Sequence, residues 1–125
     1  MKILSNSFYN IPDEIVEKYP KLNIIRIRDR PSAFEWIGSK IQNAQFDLCM
    51  LAIELCPDNL RYLWNRDLRV IKRALKLDGL TLRWVYKSEL TLELCMIALQ
   101  SNPDALKYVR NAMLKEQCLN ALKVK

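Results

Sequence analysis

Two stretches of this chain are copies of one another. Residues 48–63, LCMLAIELCPDNLRYL, and residues 94–109, LCMIALQSNPDALKYV, align without a gap at a shift of 46 residues. A third stretch, VIKRALKLDGLTLRWV at 70–85, aligns with the first at a shift of 22 and with the last at 24. RPSAFEWI at 30–37 matches NPDALKYV at 102–109 and supplies the second half of an earlier unit. KEQCLNALK at 115–123 matches LELCMIALQ at 92–100 and supplies the first half of a later one. A supersecondary unit of this length cannot bury its apolar face alone, so stacked neighbours must cover it.

Each unit has two halves. The first carries an apolar stripe at helical spacing, as in Leu48, Leu51/Ala52 and Leu55, or Leu94 and Ile97/Ala98. A break follows at Pro31, Pro57, Gly79 and Pro103. Proline fixes φ and suits a first helical turn, so Pro-Asp at 57–58 and 103–104 opens a second helix. That second half repeats an apolar pair: Phe34/Ile37, Leu60/Leu63, Leu82/Val85 and Leu106/Val109. Between the members stands an aromatic: Trp36, Tyr62, Trp84 and Tyr108. The expected unit is a helix of about ten residues, a turn, and a helix of about two turns. Together the units are expected to form an all-α, α-solenoid-like stack of short hairpins that unfolds cooperatively.

The ends differ from the repeats. Residues 1–29 are expected to form an atypical N-terminal cap, and 30–125 the repeat region of the same domain. Within the cap, Ile11-Pro12-Asp13-Glu14 opens a helix that stops at Pro20, and NIIRIRD at 23–29 is either a short strand or a degraded first helix. At the other end, ALKVK reads as a frayed helix terminus, with Lys123 and Lys125 suited to its negative dipole end.

The run LCMIALQSNPDALKYVRNAML resembles a unit of a bacterial and viral family of uncharacterised alpha-helical repeats, whose units end N-P-x-A-L-x-Y-V. The resemblance covers roughly residues 30–123 and is tightest at 92–113. It implies an all-helical repeat domain and supplies no catalytic residue. The copy at 67–87 departs from the pattern, with Asp78-Gly79 in place of the proline turn.

Composition narrows the chemistry. There is no histidine, the usual general base at neutral pH and the commonest metal ligand. Cys49, Cys95 and Cys118 share a repeat position, and Cys56 precedes Pro57. With no C-x-x-C pair and no His, they read as small core residues, so no metal and no cofactor are expected. No phosphate-binding glycine loop, G-x-S-x-G motif or Cys–His pairing is present, and no enzyme is expected. An apolar stretch long enough for a signal peptide or a membrane span is also missing, so the reading is cytoplasmic, with reduced thiols and no membrane partner.

The basic residues carry the functional reading. Twenty Lys and Arg stand against fourteen Asp and Glu, a net +6. Residues 66–89 hold Arg66, Arg69, Lys72, Arg73, Lys76, Arg83 and Lys87 against Asp67, Asp78 and Glu89, which is +4 of that total. Arg69, Lys72/Arg73 and Lys76 fall at i, i+3/i+4 and i+7, one cationic side of a helix. Arg61, Arg83 and Lys107 each precede a phased aromatic and form a possible ladder, which Glu35 breaks in the earliest unit. Trp64 is out of phase and, if exposed, is a partner-contact candidate. These residues point to a non-enzymatic protein-binding module, an adaptor or inhibitor acting by occupancy on a larger acidic partner. Nucleic acid bound through the basic face around 66–87 is the alternative. Apolar end faces make a homo-oligomer a further possibility.

Overall fold

The computed structural model describes residues 13–124, and the first twelve residues of the expected cap lie outside them. The described residues are all-helical, without a strand. Residues 23–29, open between strand and helix, belong to a helix. The described residues divide into two compact units, the first ending at Arg66 and the second beginning at Asp67.

In the first unit, α1 (Asp13–Lys18) and α2 (Lys21–Asp29) lead into η1 (Pro31–Trp36), a 3₁₀ helix. Then come α3 (Ser39–Ala44), α4 (Phe46–Leu55) and η2 (Pro57–Tyr62), also 3₁₀. α2 packs on η1 and α4, and η1 packs on η2. Phe34 and Leu60 of the two 3₁₀ helices, with Ile37 and Leu63 just beyond their ends, are buried with Ile27, Ala52 and Ile53.

In the second unit, α5 (Leu68–Leu77) leads to η3 (Gly79–Trp84), and a single turn, η4 (Lys87–Glu89), follows. Next are α6 (Leu92–Ser101), η5 (Pro103–Tyr108) and α7 (Ala112–Val124). α6 packs against α5 and α7, and η3 packs against η5. α5 turns Val70, Ile71, Ala74 and Leu75 inward, the i, i+1, i+4, i+5 side of an amphipathic helix.

One local device recurs. Arg30, Cys56, Asp78 and Asn102 each end an α-helix and start a 3₁₀ helix, with extended backbones at φ −146 to −154°. Each donates its N–H to the carbonyl four residues back: Arg26, Ala52, Ala74 or Ala98. Three of them precede proline, which disfavours the α region for the residue before it. Asp78 precedes glycine instead, and its side chain accepts from Leu80 N at 3.0 Å, an Asx turn with the same result.

The Asp78-Gly79 departure thus keeps the local geometry of the proline copies. Gly79 has two reasons of its own. A Cβ there would stand 2.2 Å from the Ala98 carbonyl oxygen, and its N–H donates to Ser101 Oγ at 3.0 Å. Proline could do neither.

The second halves were expected as helices of two turns, and they are two turns of 3₁₀ type. Three residues per turn put positions such as Phe34 and Ile37 on one side, with the intervening aromatic about 120° away. Trp36 is consequently 59% exposed. Tyr62, Trp84 and Tyr108 are half-buried.

Candidate functional site: cations on the 3₁₀ edges

The residue before each half-buried aromatic is a cation lying over the ring. Arg61 Cζ is 4.5 Å from the Tyr62 ring centroid, Arg83 Cζ is 5.1 Å from Trp84, and Lys107 Nζ is 5.3 Å from Tyr108. A ring quadrupole attracts a cation at these distances by about 0.5–1 kcal/mol where exposed. Arg61 also donates to the Tyr62 hydroxyl. The three ladder positions therefore share one local construction. Arg61 belongs to the first unit. Arg83 and Lys107 belong to the second, each the fifth residue of its 3₁₀ helix, and those two helices touch.

Arg110 joins them. Its guanidinium donates to the carbonyl of Arg83 at 3.4 Å and to that of Val85, the closing end of η3. Because Arg110 lies two residues past the end of η5, its side chain ties the two helix ends together. Sequence reasoning missed it, since the corresponding positions are Gly38, Trp64 and Tyr86. A cation found in only one copy was the available signal.

The α5 stripe is less simple than its charge count. Arg69 donates from Nε and Nη2 to the Asp67 carboxylate at 3.1 and 2.8 Å, and Lys72 pairs with Glu93 of α6. The Arg69 guanidinium holds the Asp67 carboxyl below its ordinary range, helped by the Arg69 backbone N–H, and the Arg69 value rises in return. Asp67 is also the N-cap of α5, accepting from Arg69 N at 2.9 Å. Arg73 is half-buried, and Lys76 and Lys87 are exposed. The face is a cationic surface interleaved with carboxylates.

Arg66, in the first unit, has a fold-directed role. Its Nη1 reaches the carbonyls of Leu60 and Leu63 at 3.2 and 3.3 Å, closing the end of η2. Trp64, a third first-unit candidate beside Arg61 and Arg66, is 66% exposed. Its backbone N–H donates to Gln42 Oε1 at 2.8 Å, while Gln42 Nε2 donates to the carbonyls of Ile37 and Tyr62, both at 2.9 Å. Gln42 is fully buried, so one amide fixes the backbone on both sides of Trp64's neighbourhood.

None of the four cysteines is in a disulfide. Cys49, Cys95 and Cys118 are buried and Cys56 is half-buried. Burial, then the neighbouring Cys118, pushes the Cys95 thiol up to about 11, and burial raises Cys118 as well. Thiols held this far from ionisation are packing groups at neutral pH. Among the described residues, no three His, Cys, Asp or Glu converge as metal ligands, and no helix is long and apolar enough to cross a membrane. Comparison with protein families, with curated proteins and with solved structures finds no match to this chain.

Proposed function

We propose that this chain is a non-enzymatic protein-binding module that docks onto an acidic partner through its second unit, and acts by occupancy as an adaptor or inhibitor. The observation that carries this reading is where the charge falls. Residues 67–125 hold eleven Lys and Arg against six Asp and Glu, +5 of the total +6. Residues 1–66 hold nine against eight. Net charge governs steering and association, and an excess confined to one unit steers that unit toward a negative surface.

A protein surface suits this face better than a phosphate backbone. The pairing of Arg69 with Asp67 and of Lys72 with Glu93 leaves carboxylates among the cations. Carboxylates on flexible side chains of an acidic peptide can turn toward the cations and away from Asp67 and Glu93, whereas phosphates fixed in a backbone meet repulsion at each carboxylate.

The experiment is a titration of the full chain with polyglutamate and with a single-stranded oligonucleotide of equal charge, at two salt concentrations. The reading expects polyglutamate to bind at least as tightly. Reversing Arg69, Lys72 and Arg73 to Glu should weaken it while the helical CD signal stays. Tighter oligonucleotide binding, with log K falling against log salt at a slope of about −3 to −4, would transfer the face to nucleic acid.

A further inference from the structure

We infer that the side of α7 carrying Leu119 and Leu122 is a seat for an acidic amphipathic helix of the partner, which lies where the first helix of a further repeat would lie. This rests on the acidic-partner reading above and adds the place and the conformation of the partner's binding element.

The repeat shows which side of each helix faces its successor. Lys72 of α5 pairs with Glu93 of α6, and α5 packs against α6, so the side of α5 that bears Lys72 is turned toward the following helix. The copies align Lys72 with Met96 of α6 and Leu119 of α7, and they align Leu75 with Leu99 and Leu122. Residues 72 and 75, like 119 and 122, stand at i, i+3 on one side of their helix.

Burial on that side changes at the last copy. Leu75 is 0% exposed and Leu99 4%, each on a helix with another packed beside it in sequence order. Leu122 is 41% exposed and Leu119 40%. The 3₁₀ layer takes the same step, since Leu82 of η3 is buried and Leu106 of η5 only half-buried. Cys118, at the position of Cys95, stays fully buried. Helix α7 is therefore docked on its inner side while its forward side is open.

An α-helix is what this side receives in the earlier copies, α6 on α5 and α7 on α6. Charge decides whose helix it is. Lys115 and Lys123, both exposed, lie one turn before and one turn after Leu119 and bracket the two leucines. Within the chain, the incoming α6 already sets a carboxylate, Glu93, on a lysine of the receiving side, Lys72. A helix with its apolar side over Leu119 and Leu122 and carboxylates at the margins of that side meets both demands. A second copy does not. Its second unit brings +5 against +5, and its first, with nine cations against eight carboxylates, has no acidic excess to offer.

The test uses the full chain and two fluorescein-labelled peptides of identical composition, each of about 18 residues so that a helix can form. In one, leucines at i, i+3, i+4 and i+7 share a side and glutamates line its margins. In the other, the same residues are permuted so that no side is apolar. Binding is followed by anisotropy, and the amphipathic peptide is expected to bind about tenfold more tightly, a difference of about 1.4 kcal/mol. Changing Leu119→Ser and Leu122→Ser together should erase that preference while polyglutamate binding and the helical CD signal stay, because both leucines are exposed. Met113→Ser should leave the preference intact, since Met113 is exposed on the side of α7 opposite Leu122. Lys115→Gln and Lys123→Gln should each weaken the amphipathic peptide, more at low salt than at high. Equal binding of the two peptides, a preference that survives the double leucine variant, or one lost equally in Met113→Ser overturns the helix seat and leaves the acidic-partner reading standing. So does sedimentation of the wild type as a dimer that the double leucine variant breaks, which gives this side to a second copy. Failure of both peptides and of polyglutamate overturns both.

Discussion

Replacing Gly79 with alanine tests whether the α5–η3 junction is held as tightly as the structure places it. The new Cβ would stand 2.2 Å from the Ala98 carbonyl oxygen, 3.0 Å from Asn102 N and 3.1 Å from the Ala98 carbonyl carbon. All three are backbone atoms, and the Ala98 oxygen already accepts the bond that closes α6, from Asn102 N at 2.9 Å. No rotamer change relieves such a contact, so η3 and the end of α6 must separate. Overpacking of this kind costs about 1–3 kcal/mol. If the separation also breaks the Gly79 N–H bond to Ser101 Oγ, about 0.5–1.5 kcal/mol more is lost. The alanine regains about 0.4–1 kcal/mol by restricting the unfolded chain. The net expectation is a variant less stable by about 1–3 kcal/mol. Urea denaturation followed by CD at 222 nm, on wild type and Gly79→Ala, gives the number directly. A variant equal to or more stable than wild type would refute the close approach of η3 to α6.

Three further predictions concern a buried amide, a helix cap and the thiols. Gln42→Leu removes the donor to the Ile37 and Tyr62 carbonyls and the acceptor for Trp64 N–H; urea denaturation should show a loss of about 2–4 kcal/mol, and a loss under about 1 kcal/mol would mean these groups find other partners. Asp67→Ala should cost about 1 kcal/mol as a lost N-cap. Because the folded Asp67 carboxyl titrates below its unfolded value, its stabilisation is present above the unfolded value and lost as pH falls through the folded one. Stability of the wild type should therefore drop more steeply than that of Asp67→Ala as pH falls below about 4. For the thiols the sign reverses. The folded Cys95 value, about 11, lies above the unfolded one, so its contribution holds at neutral pH and is lost as pH rises from the unfolded value through 11. Thiol labelling at pH 8 should reach half-buried Cys56 first and Cys49, Cys95 and Cys118 only after urea is added; labelling of all four at one rate would contradict the burial.

Much of the local fold was legible because its signals are short-range. Pro31, Pro57 and Pro103 mark the junctions, and the apolar pairs at spacing three mark the buried side of the second halves. Spacing three did not reveal their helix type, since i, i+3 pairs suit an α-helix and a 3₁₀ helix alike. What decides it is the extended residue ahead of each one together with capping of the far end. That capping comes from side chains well removed in sequence: Gln42 reaches Tyr62, and Arg110 reaches Arg83. No periodicity announces such a contact, because a long polar side chain can close a helix end from any element that passes nearby.

The same distinction separates what the basic residues could and could not tell. A count along residues 66–89 found the charge excess, and that excess does reside in the second unit. The count treated each cation as surface, however: Glu93 lies 21 residues beyond Lys72, and the Leu60 and Leu63 carbonyls that take up Arg66 are backbone acceptors that a tally of charged side chains does not register. A cation already bound to a carboxylate must lose that bond before it can serve a partner, so Arg69 and Lys72 offer less net attraction than an exposed cation such as Lys107. For that reason Lys107, rather than Arg69 or Lys72, is where a substitution should most change the affinity for an acidic ligand.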